Sequence, residues 1–235
     1  MKKILVFSVG LNGYAFGFRK ALESHQKYSE RIGADYFVAS KLKVNDPAIA
    51  AWMKVTLIDK ALEAGYDYVA YIDADCEVQG NTPNFIDLFD GSTKSVLMAK
   101  GVSGRWNSGV IFVENTHESR MWTQALLKSI TEPIAEEHRK NLRFENGNII
   151  AVESKLNCVT EIDYRWNNSY QSKSDYIHHY TGKFKNDYRR NVIENLIFKF
   201  LKFISPRATA APERRDEQFR EDLLIATNKV WDEER

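Results

Sequence analysis

From Lys3 to Ser8 the chain is apolar without alternation, and Gly10 follows closely. A strand with one wet face alternates; an unbroken apolar run is the pattern of a parallel strand buried on both faces, which needs helices on either side of its sheet. The next segment supplies one. Between Tyr14 and about Ile32 apolar residues such as Phe18 and Leu22 recur at helical spacing, and Ala34 to Ala39 reads as a second strand, completing a βαβ unit. A second helix over Ala48 to Ala64 carries Trp52, Val55, Ile58 and Leu62 on one side and is closed by Gly65. It feeds another apolar strand that ends abruptly at Asp73.

The alternation continues. A short helix is predicted over Pro83 to Phe89, strands over Ser95 to Ala99 and Asn107 to Val113, and helices over His117 to Ile130 and Asn146 to Lys155. Strands at Cys158 to Ile162 and Ile177 to His179 follow, with no linker or repeat between them. The expected fold class is α/β, one mostly parallel sheet with ligands at the carboxyl ends of its strands. Its 235 residues suit one such domain, residues 1–185, with a helical tail over 186–235.

The balance of 33 basic against 32 acidic residues gives no field that would favour nucleic acid. Cys76 and Cys158 are too few for a disulfide framework and suit a reducing cytosol. The opening MKKILVFSVG lacks the longer apolar core and cleavage site of a signal peptide, and no run of about 18 apolar residues occurs, so a cytoplasmic protein is expected. In the tail, Ile193, Leu196, Ile197, Phe200, Leu201 and Ile204 form an apolar stripe beside Arg189, Arg190, Lys199 and Lys202. Two readings stay open for this helix, spanning about 189–204: a basic amphipathic helix on an anionic membrane, or packing on the core or a homodimer partner. Ala208 to Pro212 reads as a linker, and residues 213–235 as a charged segment that is helical or frayed.

Three stretches carry chemistry. Asp73 and Asp75, one residue apart at a strand end, suit a divalent cation, although Asp-x-Asp met alone is more often a solvated turn. His179, Gly182 and Lys185 follow an H-x-x-G-x-x-K spacing: an imidazole for a metal such as Mn²⁺, a glycine that lets backbone N–H groups approach phosphate, and a mobile charge for that phosphate; the bland alternative is a surface turn. Trp106-Asn107-Ser108-Gly109 sets an amide and a hydroxyl beside a residue without a side chain, fit to read sugar hydroxyls or to form a plain bulge. A metal bridging a diphosphate neutralises the leaving group as a Lewis acid.

In this order the pieces resemble glycosyltransferases of the GT-A fold, most closely family 8, which includes glycogenin and bacterial lipopolysaccharide galactosyltransferases. The segment HQKYSERIGADYFV is also similar to family 34. The resemblance, over about Lys2 to Lys185, implies a hexose transferred with retention from a UDP-sugar such as UDP-Gal or UDP-Glc, with Mn²⁺ or Mg²⁺, to a saccharide or lipid-linked glycan. It implies donor contacts from Ser8 at the end of the first strand, Asn12, Tyr14, Lys54, Asn107, Ser108, Gly182 and Lys185, and metal ligands in Asp73, Asp75 and His179. Glu145 and Asn146 stand where the family usually has Asp-Gln; they are the candidate catalytic pair, positioning sugar and acceptor in a front-face route. A nucleotide-sugar-binding module without turnover, or a haloacid dehalogenase-type phosphatase, are the alternatives. The latter normally carries Asp-x-Asp on its first strand, whereas here the motif follows two βα units.

Overall fold

The computed structural model describes residues 2–140, 142–170, 175–206 and 214–235. Strand β1 (Ile4–Val9) leads through a short helix α1 (Tyr14–Gly17) and a longer α2 (Arg19–Ile32) to β2 (Asp35–Ala39). The single helix expected from Tyr14 onward is thus broken at Phe18, whose non-helical backbone (φ −122°, ψ 27°) turns the ring into a buried cluster with Tyr188 and Phe198. Helix α3 (Pro47–Glu63) starts where Asp46 accepts the Ala48 N–H and Pro47 supplies a preset φ, and β3 (Tyr68–Ile72) follows it.

Past the carboxylates come β4 (Cys76–Val78), a 3₁₀ turn at Phe85–Leu88, β5 (Val96–Met98) and β6 (Val110–Glu114). Helices α4 (His117–Ser129), α5 (Glu136–Arg139) and α6 (Asn146–Leu156) lead to β7 (Val159–Glu161), a 3₁₀ turn at Tyr164–Asn167 and β8 (Ile177–His179). The chain ends in α7 (Val192–Ile204) and α8 (Glu217–Glu234). The linker expected at Ala208 to Pro212 lies outside the described residues.

Six strands form one sheet in the order β2-β1-β3-β6-β5-β7. All its pairings are parallel except those of β6, which runs antiparallel to both β3 and β5. The mostly parallel α/β sheet is therefore borne out, with one reversed strand inside it. Strand β6 is shorter than expected at its start: Asn107 to Gly109 remain a loop, and ladder pairing begins at Val110. Alternate residues of β1 enter opposite cores, Leu5 and Phe7 one and Ile4 and Val6 the other, so the unbroken apolar run serves two buried faces.

The tail divides into two parts with different roles. Helix α8 lays Phe219, Leu223, Ala226 and Val230 into the main core beside α3, each large side chain being worth about 1.5–3 kcal/mol on burial. Its end is tied down by Glu234, which accepts from the Ser40 and Lys41 N–H groups at 2.9 and 3.0 Å. Helix α7 instead seats Phe198 against the α1 turn, where a Cβ on Gly17 would lie 2.2 Å from that ring and one on Gly13 2.9 Å from Leu201. No helix among the described residues is long and apolar enough to cross a membrane.

Candidate functional site

Asp73 and Asp75 occupy a tight turn between β3 and β4. The Asp73 N–H donates to the Gly109 carbonyl (2.7 Å) and the Cys76 N–H to the Asp73 carbonyl (2.9 Å), which sets both carboxylates at the carboxyl end of β3. Strand β4 is too short to show a periodic pattern, yet this three-residue element brings the site together. It pairs antiparallel with β8 and places Cys76 opposite His179, while the Tyr180 N–H donates to the Asp75 carbonyl at 2.9 Å. As a result His179 Nε2 lies 3.4 Å from Asp75 Oδ1 and 4.0 Å from Asp73 Oδ2.

The ring is held from behind by Asn167, a buried residue in the 3₁₀ turn that nothing in the sequence singles out. Its Nδ2 donates to the Asn107 carbonyl (3.0 Å), so its Oδ1 faces His179 Nδ1 at 2.8 Å and must accept from it. The Nε2 lone pair of the neutral ring is thereby aimed at the carboxylates, the arrangement a metal-ligating histidine requires. Gly109 provides the space: a Cβ there would lie 2.4 Å from His179 Cε1.

Two hard carboxylates and one imidazole are a donor set suited to Mn²⁺ or Mg²⁺. Among the described residues, the ligand atoms of Asp75, His179 and the Cys76 thiol lie within 4.8 Å of one another, while Asp73 stands outside that group. Burial pushes that thiol up to about 11, and its hydrogen faces the Gly109 carbonyl. Burial pushes the Asp75 carboxyl up, but the facing His179 imidazole outweighs it and the net shift is downward. Burial likewise resists charge on His179, yet its pKa is held well above the ordinary imidazole value, by the Asp75 carboxylate since the Cys76 thiol keeps its proton. The ring's proton serves as counter-charge, and a bound cation would take its place.

Lys54 forms the second half of the site. Projecting from α3, its ammonium is buried 3.3 Å from Asp73 Oδ1, 3.0 Å from Glu145 Oε1 and 3.2 Å from the Ser108 carbonyl. Burial alone would depress its pKa, but the two carboxylates more than reverse this and the net shift is upward. Asp73 is also held by the Tyr71 hydroxyl, another contact with no sequence signal. Glu145 accepts from Ser108 Oγ at 2.7 Å. Asn146, at the first turn of α6, accepts from the Ser108 N–H (3.1 Å) and donates to the Trp106 carbonyl (2.9 Å), so its amide fixes the loop before β6.

These residues floor a cleft of about 1420 Å³ that is also lined by Asn12, Tyr14, Asn107, Ser108, Asn146 and Gly182. Asn12, at φ 53°, spends its amide on the Val44 backbone, accepting and donating at 3.2 and 3.0 Å. Tyr14 is partly exposed, stacked on Phe18 and approached by the Lys202 ammonium. Two expected contacts lie elsewhere. Ser8 is fully buried and hydrogen-bonded to His25 at 2.9 Å, since its side chain points to the core rather than past the strand end. Lys185 is exposed and outside the lining, although near enough to Tyr14 to oppose the upward push of burial on that phenol. Lys202, Ser205 and Pro206 of the tail line the cleft instead, so the tail takes part in the site.

The sheet order, the reversed β6 and the carboxylate turn after β3 define the GT-A glycosyltransferase fold. A glycosyltransferase involved in glycosylation of the major capsid of PBCV-1 matches at TM-score 0.60 with 14% identity, over 78% of this chain and 97% of that one. Galactosyltransferase LgtC, solved with donor and acceptor sugar analogs, matches at 0.51 with 15% identity, over 93% and 99%. The apo form of GlyE from Streptococcus pneumoniae matches at 0.51 with 14% identity; this chain is covered to 99% and spans 64% of that protein. No protein-family model matches the chain, and no curated protein sequence matches it.

Proposed function

We propose that the protein is a metal-dependent glycosyltransferase that moves a hexose from a nucleoside-diphosphate sugar, UDP-Gal or UDP-Glc, to a saccharide or lipid-linked acceptor with retention. The observation that carries this is the approach of His179 Nε2 to Asp75 (3.4 Å) and to Asp73 (4.0 Å) across the turn, on the floor of a cleft large enough for such a donor. When bound there, a divalent ion supplies Lewis-acid neutralisation of the departing diphosphate. Asp73, Asp75 and His179 would hold it.

The chain's own residues do the rest. Tyr14 offers an aromatic face for the base, and Lys202 a positive charge beside it. Ser108 and Asn107 stand at the sugar position, with Lys54 beneath them balancing Asp73 and Glu145. Glu145 is buried and engaged by both Lys54 and Ser108, which suits a group that orients the sugar and steadies positive charge at the reacting carbon. Asn146 positions the Ser108 backbone. The acceptor side is framed by the loop carrying Arg105 and by helix α5, which Arg105 ties together, its guanidinium donating to the carbonyls of Glu137, His138 and Lys140.

A thermal-shift screen with UDP-Gal, UDP-Glc, UDP-GlcNAc and GDP-Man, with and without Mn²⁺, tests the reading. Metal-dependent stabilisation by a UDP-sugar, and Mn²⁺-dependent hydrolysis of it that Asp75→Ala abolishes, are the expected results. Nucleotide binding without turnover against any acceptor would favour a binding module; no response to nucleotide would reject the proposal.

A further inference from the structure

The outer face of α7 is apolar and uncovered. Ile193, Leu196, Phe200 and Phe203 are 71%, 69%, 60% and 76% exposed, and Val192, Ile197 and Ile204 extend the same face. At 100° per residue these seven side chains share one side of the helix, opposite Glu194 and Phe198, which face the protein. Contiguous exposed apolar surface of this kind marks an interaction site. The expected stripe is therefore real, but most of it points to solvent.

The charges around the face choose its occupant. Lys199 lies at its edge, with Arg189 and Lys20 exposed near its first turn, whereas Lys202 turns toward the cleft. The sole acid of the helix, Glu194, faces inward and is paired with Arg19. Two-fold pairing with a second copy would set the mid-helix Lys199 near its own copy, with no acid on the face to offset the repulsion. A bilayer rich in anionic headgroups instead offers an apolar interior for the phenylalanines and negative charge for the basic flank. At about 20 Å the helix is too short to span and suited to lie in the interface.

We infer that α7 docks the protein on an anionic membrane surface, its outer face inserted at the headgroup–acyl boundary. Since Lys202, Ser205 and Pro206 line the cleft, docking brings the cleft's rim to the lipid surface. If the glycosyl-transfer reading holds, and this clause alone rests on it, the acceptor is then a lipid-linked glycan.

Vesicle flotation of the full chain, without donor or metal, tests docking separately from catalysis. Vesicles of phosphatidylcholine mixed with phosphatidylglycerol should capture the protein, salt should weaken capture, and phosphatidylcholine alone should hold little. Phe200→Asp with Phe203→Asp should reduce capture at least about tenfold, with the melting temperature unchanged because both side chains are exposed. In a Phe203→Trp variant the indole emission should shift to the blue on anionic vesicles. Failure to float on anionic vesicles, or capture unaffected by the double substitution, would overturn the inference. So would a dimer in sedimentation equilibrium that the double substitution dissociates while vesicles capture neither form.

Discussion

Replacing Lys54 by methionine removes the ammonium that pairs with both Asp73 and the buried Glu145. Methionine keeps most of the stem volume, so the cavity contribution is small and the cost is electrostatic. Breaking a buried pair by removing one partner typically costs about 3–5 kcal/mol. The two carboxylates do not suffer equally: the Asp73 side chain is 27% exposed and can turn to water, whereas that of Glu145 is 4% exposed and cannot. The lower end, about 3 kcal/mol, is therefore expected for Lys54→Met. Glu145→Gln alone leaves Lys54 on Asp73 and keeps an acceptor for Ser108, so about 1–2 kcal/mol is expected. Together the two substitutions leave no unpaired buried charge at position 145, and the double variant should cost about 2 kcal/mol less than the sum of the singles. Urea unfolding followed by tryptophan emission, in a chelator at neutral pH, gives all three values. A Lys54→Met cost below about 1 kcal/mol, or strict additivity, would refute the network.

Asn167→Ala should weaken Mn²⁺ binding about 10–100-fold by freeing the His179 ring, measured by titration calorimetry; unchanged affinity would remove Asn167 from the site. Gly109→Ala should displace His179 and abolish Mn²⁺-induced thermal stabilisation while leaving the far-ultraviolet dichroism intact. Burial lowers His25 from 6.5 to about 4. Its contribution to stability is full above the unfolded pKa and is lost as pH falls toward the folded one, by about 2 kcal/mol between pH 8 and pH 5. The difference in unfolding free energy between the parent and His25→Gln should shrink by about that much over this range, a comparison in which the opposite contribution of His179 cancels; a constant difference would refute it.

Much of the frame was legible because periodicity reports burial. The runs at Lys3 to Ser8 and Tyr68 to Ile72 are strands buried on both faces, and Gly65 does close α3, at φ 76°. The Asp73–Asp75 pair, by itself a common turn sequence, could be singled out only in company with the His179, Gly182 and Lys185 spacing. Contacts made by single residues could not. Asn167 sits in a 3₁₀ turn with no pattern around it, and Tyr71 looks like any buried aromatic of a strand. The strand β4 is three residues long, below any periodic signal, although His179 depends on it. The amphipathic stripe of α7 was visible, but its orientation was not: periodicity shows that a helix has two faces and leaves open which one meets the protein. Here Phe198 and the small surfaces of Gly13 and Gly17 decided that.

That seating of α7 on the two glycines has a consequence for the order of synthesis. Strand β1 and the Asn12–Gly17 segment leave the ribosome well before α7, yet the wall they share with Lys202, Ser205 and Pro206 is supplied nearly two hundred residues later. The cleft thus stays open on that side until α7 has been made, and its closing waits on contacts of very long sequence separation. A nascent chain that has released His179 but not α7 would carry Asp73, Asp75 and His179 beside an unfinished cleft wall.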